Sequence, residues 1–129
     1  MLSVTKKKYL LTIYELGNSD ASVRQVDIAK ALNVRKASVS NMLPSLIEEN
    51  LVTKNEYGNI EFTAEGARRA SELYLKYLTL YSFFSKNLGS TDQNARKDAI
   101  ICSCSLSDEN TDSITDFILT KNNSISCSL

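Results

Sequence analysis

The residues whose types and spacing suit chemistry on a ligand lie between Arg35 and Ser45. Val39, Leu43, Leu46 and Ile47 recur at i, i+4, i+7 and i+8, which is one face of a helix expected from about Lys36 to Glu49. The rest of that helix and its entry carry Arg35, Lys36, Ser38, Ser40, Asn41 and Ser45. Cationic and short polar side chains on a face that cannot be core are the groups that reach phosphates and base edges in a DNA major groove. Asn can pair bidentately with adenine, and Arg or Lys with guanine. Lys54, a little downstream, is a candidate clamp on the DNA backbone.

The elements that must position these groups follow from the flanking sequence. Tyr9, Leu10, Ile13, Tyr14 and Leu16 predict a helix over residues 6–16, ended by Gly17-Asn18 and followed by a loop at Ser19-Asp20-Ala21. Ser22 and Gln25 have capping-box spacing, so a second helix is expected to begin near Val23. Val26, Ala29 and Leu32 face inward along it, and Asn33-Val34 breaks it. Pro44, about two turns into the third helix, is expected to bend it rather than break it. Asn50 suits a left-handed C-terminal cap. Leu51-Val52-Thr53 and Ile60-Glu61-Phe62 read as strands of a hairpin that turns at Tyr57-Gly58-Asn59. Thr63 can cap a long fourth helix from Ala64 to Asn87, with Gly89 beyond it. Two shorter helices are expected, one over Thr91–Ser105 and one from the N-cap Ser107 to about Leu119, before a polar, frayed tail. The order helix, helix, tight turn, helix, hairpin is that of a winged helix-turn-helix. The expected fold class is therefore mainly α with a small β-hairpin. A winged helix-turn-helix over residues 1–73 precedes a helical dimerisation domain over residues 74–129.

Composition narrows the function classes. The chain has 129 residues, 43% of them hydrophobic, with Lys+Arg 15 against Asp+Glu 15. That places it among globular proteins and outside disordered, collagen-like and disulfide-framework classes. It has His 0, which removes Ser-His-Asp and Cys-His catalysis. No pair of acid/base groups and no phosphate loop stands out, so an enzyme is not expected. Charge is slightly uneven: eleven basic residues face nine acidic ones up to Lys76, and four face six from Tyr77 onward. No apolar run is long enough to span a bilayer, and the N-terminal residues lack a signal-peptide pattern, so the expected compartment is the cytosol, with no membrane partner.

The sequence resembles the metal-dependent repressors of the diphtheria toxin repressor and manganese transport regulator type. The resemblance rests on YLLTIYEL in the first helix and on DIAKALNVRKASVSNML with IEENLV in the reader. It continues in FTAEGARRA after the hairpin and in the spacing from Gly89 to Leu106-Ser107-Asp108. It covers roughly residues 5–120. It implies a homodimeric transcriptional regulator whose fourth to sixth helices bind metal and dimerise, and 129 residues are expected to leave no room for the family's optional third domain. The family's five metal-ligand positions fall here on Lys8, Tyr77, Ile100, Ser103 and Cys104. Of these only Cys104 binds metal well, so the family's site is expected to be lost, and no cofactor is assigned. If an ion binds, the resemblance implies manganese or iron. Cys102 and Cys104 are the candidate ligands of a shifted thiolate site. They stand about 200° apart around a helix axis, so the preferred expectation is that both are small buried hydrophobes.

The stretch Tyr74, Tyr77, Tyr81, Phe83, Phe84 reads as a dimer core, with a small-ligand pocket as the other option. The expected dimer interface is Tyr77, Leu78, Leu80, Tyr81 and Phe84. The combined expectation is a sequence-specific DNA-binding regulator, a repressor on a palindromic double-stranded operator, acting as a homodimer. Two rivals use the same residues: a metal-responsive repressor with a shifted site, and a winged-helix protein-interaction module.

Overall fold

A computed structural model describes residues 2–17 and 21–127, with side chains through residue 121. The expected stop at Asn18, the loop residues Ser19 and Asp20, and the side chain of Cys127 lie outside the described residues. The elements run α1 (Val4–Gly17), α2 (Gln25–Leu32), α3 (Lys36–Glu48), β1 (Val52–Lys54), β2 (Ile60–Phe62), α4 (Ala64–Ser82), α5 (Asp92–Ser105) and α6 (Asp108–Cys127). They form two compact units, Met1–Glu72 and Leu73–Leu129.

In the first unit the apolar faces of three helices meet. Leu10 and Ile13 of α1, Ile28 of α2, and Val39, Leu43 and Leu46 of α3 are all buried. Side chains of this size contribute roughly 1.5–3 kcal/mol each when fully buried. Ile47 departs from the expected apolar face: it is 41% exposed while Leu46 beside it is fully buried. α3 runs unbroken through Pro44. Asn33 (φ 55°) and Asn50 (φ 60°) take the left-handed conformation at the ends of α2 and α3, which Asn tolerates better than most residues. Lys6 pairs with Glu49 at 2.8 Å and so joins α1 to the end of α3.

β1 and β2 pair antiparallel, with Val52 opposite Phe62 and Lys54 opposite Ile60. Gly58 takes φ 80° in the turn. Val23 adds a bridge to this wing: it exchanges two backbone hydrogen bonds with Ile60, both 2.8 Å. This corrects the expected capping box. α2 starts at Gln25, with Arg24 at its N-cap and no side-chain cap. Val23 is held extended by Ile60, and Gln25 turns its side chain to the wing instead of back to Ser22.

Thr63 caps α4. Its Oγ1 accepts from the Gly66 N–H at 2.9 Å and donates to the Asn50 carbonyl at 2.7 Å. α4 does not stay α-helical to Asn87 as expected: beyond Ser82 the chain forms a π-helical turn, Phe83–Asn87. Gly89 follows at φ 69°.

In the second unit Tyr74, Tyr77 and Tyr81 form a ladder along α4, with successive ring centroids 5.8 and 6.2 Å apart. The Tyr81 hydroxyl bonds Asp92 at the start of α5. Lys76 pairs with Asp112 of α6 at 2.6 Å. α6 extends to Cys127, well past the expected end near Leu119. Its polar C-terminal sequence holds no helix-breaking residue, and polarity alone does not stop a helix. Buried hydroxyls are satisfied within their own helices. Ser103 donates to Ala99 O at 2.8 Å and Thr111 to Ser107 O at 2.8 Å. Thr115 donates to Thr111 O at 3.0 Å.

Candidate nucleic-acid interface

α2 and α3 pack against each other, and Ala29 of α2 and Val39 and Leu43 of α3 are buried, so the opposite side of α3 faces outward. Arg35, Lys36, Ser38, Ser40 and Asn41 are exposed there, and Ser45 is half-buried. Lys54 is exposed at the end of β1. Side chains that reach outward from one short helix can address one stretch of groove.

Gln25 organises the neighbourhood, and sequence reasoning had given it only a local capping role. Its Nε2 donates to the Gly58 carbonyl at 3.0 Å, and its Oε1 accepts from Ser40 Oγ at 3.2 Å. One side chain thus links the third helix to the tip of the wing. Arg24 stands beside it in a two-point pair with Asp27, at 2.9 and 3.1 Å. The hydrogen bond to Asp27 raises the guanidinium pKa further. Tyr57 is 80% exposed at the wing turn. In the sequence it reads only as turn chemistry. The signal was available, since a large aromatic at a hairpin tip buries nothing of its own.

The second unit holds four of the five positions that the resemblance assigns to metal. Tyr77 offers a buried phenol and Ile100 an alkyl group. The Ser103 hydroxyl is a neutral group that already donates to Ala99 O. Cys104 is buried, its Sγ 3.9 Å from Ser103 Oγ. Lys8, in the first unit, offers a cation. A divalent transition metal needs converging anionic or imidazole ligands, and this donor set does not fit one. Among the described residues, no three His, Cys, Asp or Glu side chains come together. Cys102 is half-buried, and burial first, then the nearby Asp98 carboxylate, raises its thiol pKa. Both effects favour the protonated form, which is a poor metal ligand.

The expected dimer face is only partly outward. Leu78 is exposed, and Tyr81 and Phe84 are half-buried. Tyr77 and Leu80 are 3% and 2% exposed, so they serve the chain's own core and are withdrawn from that face. Among the apolar groups left outside are Leu75 at 61% and Phe117 at 68%, with Ile114 beside a groove between the π-helical turn and α6.

Comparison with known proteins places this architecture. The family described as "Iron dependent repressor, N-terminal DNA binding domain" matches residues 1–60. The HTH-type transcriptional regulator MntR of Shouchella clausii is 30% identical over 98 residues, which cover 76% of this chain and 68% of that protein. The chain belongs to the iron-dependent repressor family. An uncharacterised HTH-type transcriptional regulator of Methanocaldococcus jannaschii is 28% identical over 109 residues, 84% of this chain and 87% of that protein. The crystal structure of T. acidophilum IdeR superposes with a TM-score of 0.78 at 25% identity, over 95% of this chain and 56% of that one. The chain thus spans little more than half of that solved structure. The family is one of transcriptional regulators, not enzymes. Its fold is the winged helix-turn-helix with a helical C-terminal part that the sequence pattern predicts. No helix among the described residues is long and apolar enough to cross a membrane.

Proposed function

We propose that this protein is a sequence-specific DNA-binding repressor that acts in the cytoplasm as a homodimer, on a palindromic operator, without a divalent metal. α3 enters the major groove, with Arg35 and Lys36 on phosphates and Asn41 on a base edge. Ser38, Ser40 and Ser45 line the same approach, and Lys54 touches the backbone from the wing. The second unit supplies the dimer contact. The observation that carries this reading is the two-sidedness of α3. Val39, Leu43 and Leu46 are buried, while the exposed remainder carries two cations and several hydrogen-bonding groups at helical spacing. A protein-interaction surface of that size would present aromatic or aliphatic anchors instead.

The test is a mobility shift on random-sequence duplex across a range of salt, followed by selection of a preferred duplex. Lys36→Ala should weaken binding to all sequences and reduce the salt slope by about 1. Asn41→Ala should cost about 1–3 kcal/mol at one base position and relax specificity there. Unchanged affinity and salt slope in the combined variant would remove α3 as the reader. A protein that shifts no duplex at low salt would be an interaction module instead.

A further inference from the structure

We propose that the cleft between the start of α2, the start of α3 and the wing turn seats one phosphate of the DNA backbone, with the Lys36 ammonium and the Tyr57 hydroxyl as its donors and Gln25 as the residue that holds its walls together. This rests on the DNA-binding reading and gives it a second contact, separate from the base-reading face of α3.

The cleft is lined by Arg24, Gln25, Lys36, Tyr57 and Asn59 among others. Its lining includes two cationic side chains and no carboxylate. Arg24, one of the two cations, is engaged by Asp27, both of whose oxygens it holds. The Arg24–Asp27 pair is close to neutral as a unit, so the local charge comes from Lys36. The cleft is open and polar, which suits a phosphate that stays part of a polymer better than an enclosed small ligand. Its position also fits. When a helix lies in a major groove, the sugar-phosphate backbone runs past its ends, and this cleft lies beside the N-terminal end of α3.

The walls belong to separate elements; the Val23–Ile60 backbone pair joins the wing to the entry of α2, and a side-chain tie must still fix the wing tip against α3. Gln25 supplies that tie through its bonds to the Gly58 carbonyl and from the Ser40 hydroxyl. Gln25 does not need to touch the phosphate. It is a positioning residue that fixes the Tyr57 turn relative to Lys36. The 80% exposure of Tyr57 is then explained: its ring stands clear of the core so that the phenol reaches the cleft.

The test uses the full chain and the duplex it selects from a random library, in which single phosphates are replaced one at a time by neutral methylphosphonates. For the wild-type protein, one position per half-site should lose about tenfold in affinity, the scale of one charge-assisted hydrogen bond. At that position the loss should largely vanish in Tyr57→Phe and in Lys36→Ala, while the other phosphates keep their wild-type effects. Gln25→Met keeps the bulk and removes both tie bonds. It should erase the same single effect without lowering the melting temperature enough to unfold the protein at assay temperature, an outcome a general packing defect would not give. Inorganic phosphate at constant ionic strength should not compete. A Tyr57→Phe scan identical to wild type overturns the cleft while the DNA reading stands. Competition by inorganic phosphate points to a free-anion site and overturns it too. A wild-type protein that selects no duplex overturns the DNA reading and the cleft with it.

Discussion

Gly66 of α4 lies so close to the wing that a Cβ built on it would stand 1.8 Å from the carbonyl oxygen of Leu51. The atom in the way is backbone, at the point where the hairpin leaves α3, and it cannot swing aside as a flexible side chain could. Thr63 fixes the same junction from the other side through its bonds to Asn50 O and Gly66 N. The first turn of α4 is therefore pressed onto the entrance of the wing, and only glycine permits that approach.

Gly66→Ala should consequently destabilise the first unit by about 2–4 kcal/mol, the range of severe overpacking. At roughly 4 °C per kcal/mol for a domain of this size, thermal unfolding followed by circular dichroism should drop by on the order of 10 °C. Ala at the exposed α-helical position Ser71 should change the melting temperature by little. A Gly66→Ala protein as stable as wild type would mean that α4 and the wing can separate freely.

Much of the α3–wing region was legible in the sequence because its determinants are local. Val39, Leu43 and Leu46 recur at helical spacing and are buried as that spacing requires. Asn50 and Gly58 take the positive φ that their residue types and turn context suggest. The misses have separate causes. The Ser22–Gln25 capping box failed because Gln25 finds its partners 15 and 33 residues away, in Ser40 and Gly58, and no local pattern announces such a bond. Tyr77 and Leu80 looked like an open girdle because an aromatic-rich helix gives no sign of which side its own chain will cover. α6 was cut short at Leu119 because polar composition suggested fraying, whereas a helix needs only its own backbone bonds to continue.

The dimer proposal makes a specific demand on α6. Phe117, 68% exposed, and Ile114 beside it carry apolar surface that no described residue covers. With Leu75 and Leu78 they are the groups available to a second copy. Light scattering at high micromolar concentration should give twice the chain mass. Phe117→Ser with Ile114→Ser should move the equilibrium toward monomer and weaken operator binding, since a two-fold dimer engages two half-sites about one DNA turn apart. A wild-type monomer at that concentration would count decisively against the arrangement.

The two described cysteines should be slow nucleophiles at neutral pH. Burial and Asp98 raise the Cys102 pKa, and Cys104 is buried. A thiol whose folded pKa lies above its unfolded value stabilises the fold below the unfolded pKa, and that contribution fades as pH rises through the folded one. Stability should accordingly decline in the alkaline range, and alkylation by iodoacetamide, mapped by peptide mass spectrometry, should be slower at Cys102 than at a free cysteine at pH 7.5. Labelling of Cys102 faster than free cysteine would indicate a thiolate and reopen the shifted metal site.

Metal independence is the prediction on which this chain departs most from its family. In a metal-activated regulator the ion supplies positive charge that draws anionic ligands together, and its removal weakens operator binding. Here the corresponding positions hold Lys8, Tyr77, Ile100, Ser103 and Cys104. None carries a fixed negative charge, and the Ser103 hydroxyl already donates to Ala99 O. A hard ion such as manganese would gain one thiol and at most neutral oxygens, in exchange for its hydration shell. Lys8 brings a cation, not a ligand, to the position that the resemblance assigns to a ligand. Operator affinity should then agree within about twofold between added manganese or ferrous iron and excess chelator, where a twofold change is only about 0.4 kcal/mol. A tenfold gain on adding metal to the wild-type protein would sink this reading and return the protein to the metal-responsive members of its family.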